Sequence, residues 1–234
     1  VEGQTELSAL NAVLGEHLAV SEIYIYPKIV GKPGHKGGVW RSFESISKEI
    51  VTLFKQEPAA AFTTFFDFYA MPENWPGVRD AKAAKSSGLQ TQQVAQIVER
   101  AWDAAIREAA AALDHVPTFI PYVQMHELEA LLFSNPQSMA DAFLRADLAA
   151  SFSRIVSESG GCEEINDRPQ FAPSKRIEQI FPDYRKGRDK NKPEDLRPHA
   201  PAILKRAGLS QIREACPHFG AWVTSLEKLG KVAA

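Results

Sequence analysis

Two short apolar runs, 61–66 ending at Asp67 and 119–125 ending at His126, flank a long helical stretch from about Gln92 to Leu113. This alternation restricts the chain more than any other feature. Apolar runs of this length, bounded by turn residues, read as buried strands. Strand, helix and strand in that order make a βαβ unit, and such units build a mainly parallel sheet flanked by helices. The fold class is therefore α/β.

The flanking sequence extends the pattern. Val1 to Thr5 is a tight turn into a helix with the stripe Leu7, Leu10, Val13, Leu14 and Leu18, and Thr5 is its expected N-cap. A turn of this kind follows a strand, here reduced to Val1, so the sequence is expected to lack its first few residues. Residues 22–30 alternate Ile23, Tyr24, Ile25 and Tyr26 as a further strand does, and 43–54 has helical spacing. Past Asn135 the sequence is helical and rich in loops, ending in an amphipathic helix with Trp222, Leu226 and Leu229. The expected organisation is an α/β core over 1–134 and a helical C-terminal portion over 135–234 packed on it as one compact unit.

A length of 234 residues and 44% hydrophobic content suffice for one sizeable core. No run reaches the roughly 18 apolar residues of a membrane span, and no secretory layout opens the chain, so a cytoplasmic protein without a membrane partner is expected. Cys162 and Cys216 lack the close spacing of a zinc or redox motif and read as ordinary thiols. A net charge of −2 excludes a general polyanion binder and leaves nucleic-acid contact to a local patch. The patch available is Lys175, Arg176, Arg185, Lys186, Arg188, Lys190 and Lys192, which by itself also fits a solvated loop.

Acidic residues stand at the ends of the expected strands: Glu2 in the first turn, Asp67 after the third strand, and Glu127 and Glu129 after the fourth, beside His126. In a parallel sheet these ends share one edge, where active sites form. Hard divalent ions take oxygen ligands, usually one or two carboxylates with water and substrate phosphate, so these residues are candidate ligands for Mg2+ or Mn2+. The segment from His126 to Ala130 lacks the second histidine of a zinc-protease helix. In Pro173-Ser174-Lys175-Arg176, Ser174 is the expected N-cap, and two cations in a first turn oppose the helix dipole unless an anion is held there. The loop 31–38 is glycine-rich and basic but lacks a Walker ending.

The segments 1–6, 66–69, 120–133, 164–166 and 173–176 together resemble the bacterial family called domain of unknown function 4276, across nearly the whole chain. That family resembles a distant branch of the Toprim fold, shared by topoisomerases, primases and overcoming-lysogenization-defect nucleases. The resemblance implies a Toprim-like, Rossmann-like sheet with a magnesium-binding glutamate after the first strand, matched by Glu2, and an aspartate pair after the third. Asp67 matches the first of that pair. Tyr69 stands in place of the second, so either Glu127 or Glu129 supplies the missing oxygen or catalysis is weakened.

The resemblance further implies an effector nuclease of a phage-defence module with an ABC- or AAA-type ATPase encoded nearby, and DNA or transfer RNA as substrate. In that role His126 would orient a ligand or move a proton, Lys175 and Arg176 would hold the scissile phosphate, and Ser174, Arg185, Lys186, Arg188 and Lys190 would bind substrate. The alternative is a non-catalytic binding or sensor subunit of the ATPase complex.

Overall fold

The computed structural model describes residues 1–30, 42–165, 169–184 and 200–231. The expected loop 31–38, and Asn166, Asp167, Arg185, Lys186, Arg188, Lys190 and Lys192, lie outside them. The chain forms a mixed α/β structure, mostly helical, with short parallel strand pairs. It divides into two compact units, one from residues 1–7 and 26–124, the other from 8–25 and 125–231.

In the first unit the apolar runs form β1 (Phe62–Thr63), β2 (Phe66–Asp67), β3 (Phe119–Ile120) and β4 (Val123–Gln124). β1 pairs with β3 and β2 with β4, both parallel, with Phe62 opposite Phe119 and Asp67 opposite Gln124. The register is the same across the interruption, so these are two neighbouring strands broken once at the same level. The break falls at Pro121, which has no N–H to donate. Thr64 fills it: its hydroxyl accepts from the Tyr122 amide at 2.8 Å and donates to the Tyr122 carbonyl at 2.9 Å. Buried main-chain groups are thereby satisfied where the ladder lapses.

Two helices cover this pair, and a third packs on the second of them. In α2 (Phe43–Gln56), Ser42 caps the first turn by accepting from the Ser45 amide, and Ile46, Ile50 and Phe54 are buried at helical spacing. The Phe54 ring sits 4.8 Å from Phe62 and 6.1 Å from Phe119, seating the helix on β1 and β3. In α4 (Thr91–Ala109), Val94, Val98, Trp102 and Ile106 bury one stripe, and the Gln93 side chain reaches back to the Gln90 amide. Trp102 meets Phe43, Phe66 and Trp75 at 5.5 to 5.7 Å. Buried rings of this kind stabilise by roughly 1.5–3 kcal/mol each. α3 (Val78–Ser86) starts at Gly77, whose φ is 76° and whose missing Cβ would lie 2.9 Å from the Ile97 carbonyl oxygen of α4. That close approach and left-handed conformation require glycine.

A sheet of four or more separate strands is not formed by the described residues. Among the described residues, the stretch expected as a strand at 22–30 carries no strand ladder, and Pro27 cannot donate to one. A pairing there is at Val1, which donates to the Lys28 carbonyl at 3.0 Å and accepts from the Val30 amide at 3.1 Å. This is the bond pattern of a parallel pair with Val1 opposite Ile29.

α1 (Gln4–Ala19) begins one residue before the expected Thr5 cap, and buries Leu10, Leu14 and Leu18. In the second unit follow α5 (Glu129–Leu132), α6 (Pro136–Ala142), α7 (Ala149–Ser159), α8 (Pro173–Ile180), α9 (Ala200–Ala207), α10 (Leu209–Ala215) and α11 (Pro217–Glu227). The C-terminal region is thus helical, as its spacing predicts. Asn135 caps α6 by accepting from the Ser138 amide, and Gly160 ends α7 in the left-handed conformation. Phe143 joins the elements, lying 5.9 Å from Phe152, 4.6 Å from Phe181 and 5.9 Å from Tyr184. Trp222, Val223 and Leu226 form the buried stripe of α11, while Leu229 falls in the 3-10 turn after it. Among the described residues, no helix is long and apolar enough to cross a membrane.

Candidate functional site

Asp67 is the last residue of β2, at the carboxyl end where parallel strands place functional side chains. Its amide donates to Glu2 Oε1 at 2.9 Å, so the first turn of the chain is tied to the strand end. Asp67 is 8% exposed, and Glu2 is half-buried. Gly3 brings the Glu6 carboxylate close: a Cβ there would stand 2.9 Å from Glu6 Oε2. Glu2, Glu6 and Glu49 lie close enough to the Val1 nitrogen for their charge to be felt there. Glu6 and Glu49 therefore join the acidic surroundings of Glu2. Neither stands at a strand end, which is why strand-end reasoning passes over them. Tyr69 follows in a 3-10 turn, 38% exposed.

In the second unit, His126, Glu127 and Glu129 are all buried. The helix expected from Glu127 begins at Glu129. Glu127 Oε2 accepts from the Ser174 amide at 3.0 Å, and Glu129 Oε1 accepts from the Tyr184 hydroxyl at 3.2 Å. Burial and then the neighbouring Glu129 charge push the Tyr184 hydroxyl well above its ordinary pKa. Tyr184 is invisible to motif reading, since a lone tyrosine between loop residues carries no local signal.

The N-cap of α8 is Ala172, not Ser174, with Pro173 in the first position, where a missing N–H costs nothing. Ser174 is inside the first turn and buried. The Glu127 carboxylate accepts from an amide in this first turn. Lys175 pairs with Glu178 at 2.8 Å at the surface, and the Arg176 guanidinium lies 4.6 Å above the Phe171 ring. Stacking of this kind fixes the side chain without neutralising it.

Glu163 makes a third carboxylate contact of the same kind, accepting from the His218 and Phe219 amides at 3.0 Å each and capping α11. Burial pushes its carboxyl up, against the pull of those two amides. In the first unit Glu99 likewise accepts from the Val123 amide at 3.1 Å.

Among the described residues, no three His, Cys, Asp or Glu side chains converge in an arrangement that would hold a metal ion. The geometry brings together Glu2 with Asp67, Glu127 with Ser174, and Glu129 with Tyr184. The Glu2 and Asp67 donors are carboxylate oxygens only, which suits a hard divalent cation taking one or two protein ligands.

No curated protein and no solved structure matches the chain. A family model described as domain of unknown function (DUF4276) matches residues 1–227, and the chain belongs to that family.

Proposed function

We propose that the chain is a Mg2+- or Mn2+-dependent phosphodiesterase acting on DNA or RNA, built on a Toprim-like variant of the α/β fold, with Glu2 and Asp67 as metal ligands. The observation that carries this reading is the Asp67 amide bond to Glu2, which fixes two carboxylate residues from distant segments at the carboxyl end of a parallel strand. A bound divalent ion would supply charge stabilisation at phosphorus. The chain's own contribution is to hold the two carboxylates at the strand end.

In the second unit, Lys175 and Arg176 are the residues proposed to engage phosphate. The stacked Arg176 is the better candidate, because Lys175 is already paired. A cytoplasmic effector working with an ABC- or AAA-type ATPase encoded nearby is the setting the family resemblance supports.

The second reading, a non-catalytic subunit that binds a nucleotide or phage component for the ATPase, is favoured by Tyr69 in place of a second aspartate. Cleavage of DNA and RNA with Mg2+ or Mn2+, with and without the ATPase, tests both. Loss of cleavage in Glu2→Gln and Asp67→Asn supports the enzyme. Cleavage unchanged from the wild type in both variants rejects the assigned site, and absence of cleavage with retained metal-independent nucleotide binding favours the sensor. Arg176→Ala is expected to lower turnover with little change in substrate binding.

A further inference from the structure

Leu144, in the second unit, places an apolar side chain in water on a backbone that leucine disfavours. It follows Phe143, the C-cap of α6, with φ at 55°, and is 91% exposed. Its amide donates to the Asp141 carbonyl at 3.0 Å, and the Arg145 amide donates to the Ala140 carbonyl at 2.9 Å. These are the paired bonds of a helix end whose left-handed residue is usually glycine. Gly160 ends α7 in that conformation. At Leu144 the Cβ opposes the left-handed backbone, and the exposed side chain gains no burial in return.

The same unit carries a recess of matching character. An open pocket of about 370 Å³ lies between α1 and the turn from α9 to α10, lined by Ala12, Val13, Leu204 and Leu209. The exposed Glu16 and Lys205 also line it, paired at 3.3 Å. Leu144 is followed by the converse pair, Arg145 on Asp147 at 2.7 and 2.8 Å. Leucine and pocket stand on neighbouring elements, because α6 packs against α9 and Arg206 of α9 pairs with Asp141 of α6 at 2.9 Å.

We propose that the chain forms a two-fold dimer in which Leu144 of each copy enters the pocket of the other. Arg145 then meets Glu16, and Asp147 meets Lys205, across the contact. A two-fold contact makes every interaction twice and closes on itself, whereas one-way seating would grow without end. The apolar side chain supplies most of the affinity, since exposed ion pairs contribute little, and the exchange of charged partners fixes the register. A contact of this small size makes a weak dimer that dissociates on dilution.

Sedimentation equilibrium of the full chain over a wide range of concentration tests this, and a monomer–dimer equilibrium is expected for the wild type. Leu144→Gly is expected to weaken the dimer at least about tenfold, as loss of a buried leucine does, while the thermal midpoint of the dilute chain stays level or rises. Glu16→Lys and Arg145→Glu, both at exposed positions, should each weaken the dimer. The double variant should recover it, because the reversed charges meet again across the contact. A chain monomeric at every concentration, growth beyond a dimer, unchanged association in Leu144→Gly, or a double variant no better than its singles would each overturn the proposal. So would a clear drop in the Leu144→Gly midpoint, which would show that the leucine serves the fold of its own chain. The readout is mass in solution and not cleavage, so it stands apart from the nuclease reading.

Discussion

The Thr64 hydroxyl does for Tyr122 what a neighbouring main chain would have done, accepting its amide proton and donating to its carbonyl across the gap opened at Pro121. Thr64→Val keeps the shape and removes both bonds, leaving a buried donor and acceptor unpaired at about 1–3 kcal/mol each. Chemical denaturation should therefore show a loss of about 2–5 kcal/mol for Thr64→Val, allowing for partial relaxation. Thr64→Ser should lose less than half as much. Equal losses in the two variants would place the cost in packing instead.

Glu2→Ala removes the acceptor of the Asp67 amide and is expected to lower stability by about 1–3 kcal/mol, whereas Glu2→Gln keeps an acceptor oxygen and should cost less. Metal response separates from this. Mg2+ or Mn2+ at a hundredfold its dissociation constant should stabilise the wild type by about 2.7 kcal/mol and leave Glu2→Gln with Asp67→Asn unmoved. A midpoint raised equally in both proteins would remove Glu2 and Asp67 from metal binding.

Tyr184 gives a pH prediction. Its folded pKa is raised by burial and by Glu129, so above the unfolded value of about 10 the folded state holds its proton more tightly than the unfolded chain. The stability tied to that proton is present below about pH 10 and is lost as pH rises further. Absorbance titration of the tyrosines should show one late component that disappears in Tyr184→Phe. A late component unchanged in that variant would assign it to another ring.

At Gly77, alanine must adopt a φ of 76° and place its Cβ 2.8 Å from the Ala101 Cβ. Strain and overlap together should cost about 2 kcal/mol or more, read as a lower urea midpoint with unchanged slope. A neutral Gly77→Ala would mean that α3 and α4 part easily.

The βαβ unit was legible because its strands are short apolar runs and its helix has regular spacing, signals that need only local sequence. Asp67 was legible for the same reason, as the polar residue closing such a run. The resemblance to known proteins pointed to Glu2. What was not legible depends on partners distant in the chain. The alternation at 22–30 is that of a strand, but a strand also needs a neighbour, and among the described residues Val1 pairs there without building a ladder. Ser174 looked like a cap because caps are read from residue type, and with Pro173 in the first helical position the helix start lies two places earlier. Tyr184 beside Glu129, and Glu163 at the start of α11, come from packing between remote segments.

The use of carboxylates as acceptors for main-chain amides has a spectroscopic consequence. The amide protons of Asp67, Val123, Ser174, His218 and Phe219 each point at a glutamate oxygen. A proton facing an anionic acceptor is strongly deshielded, and its resonance moves upfield when that carboxylate takes up a proton. Nitrogen-15 amide spectra recorded on lowering the pH would thus follow Glu163, whose carboxyl burial pushes up, through the signals of His218 and Phe219. A divalent cation drawing charge from Glu2 would announce itself at the Asp67 resonance before any substrate is added.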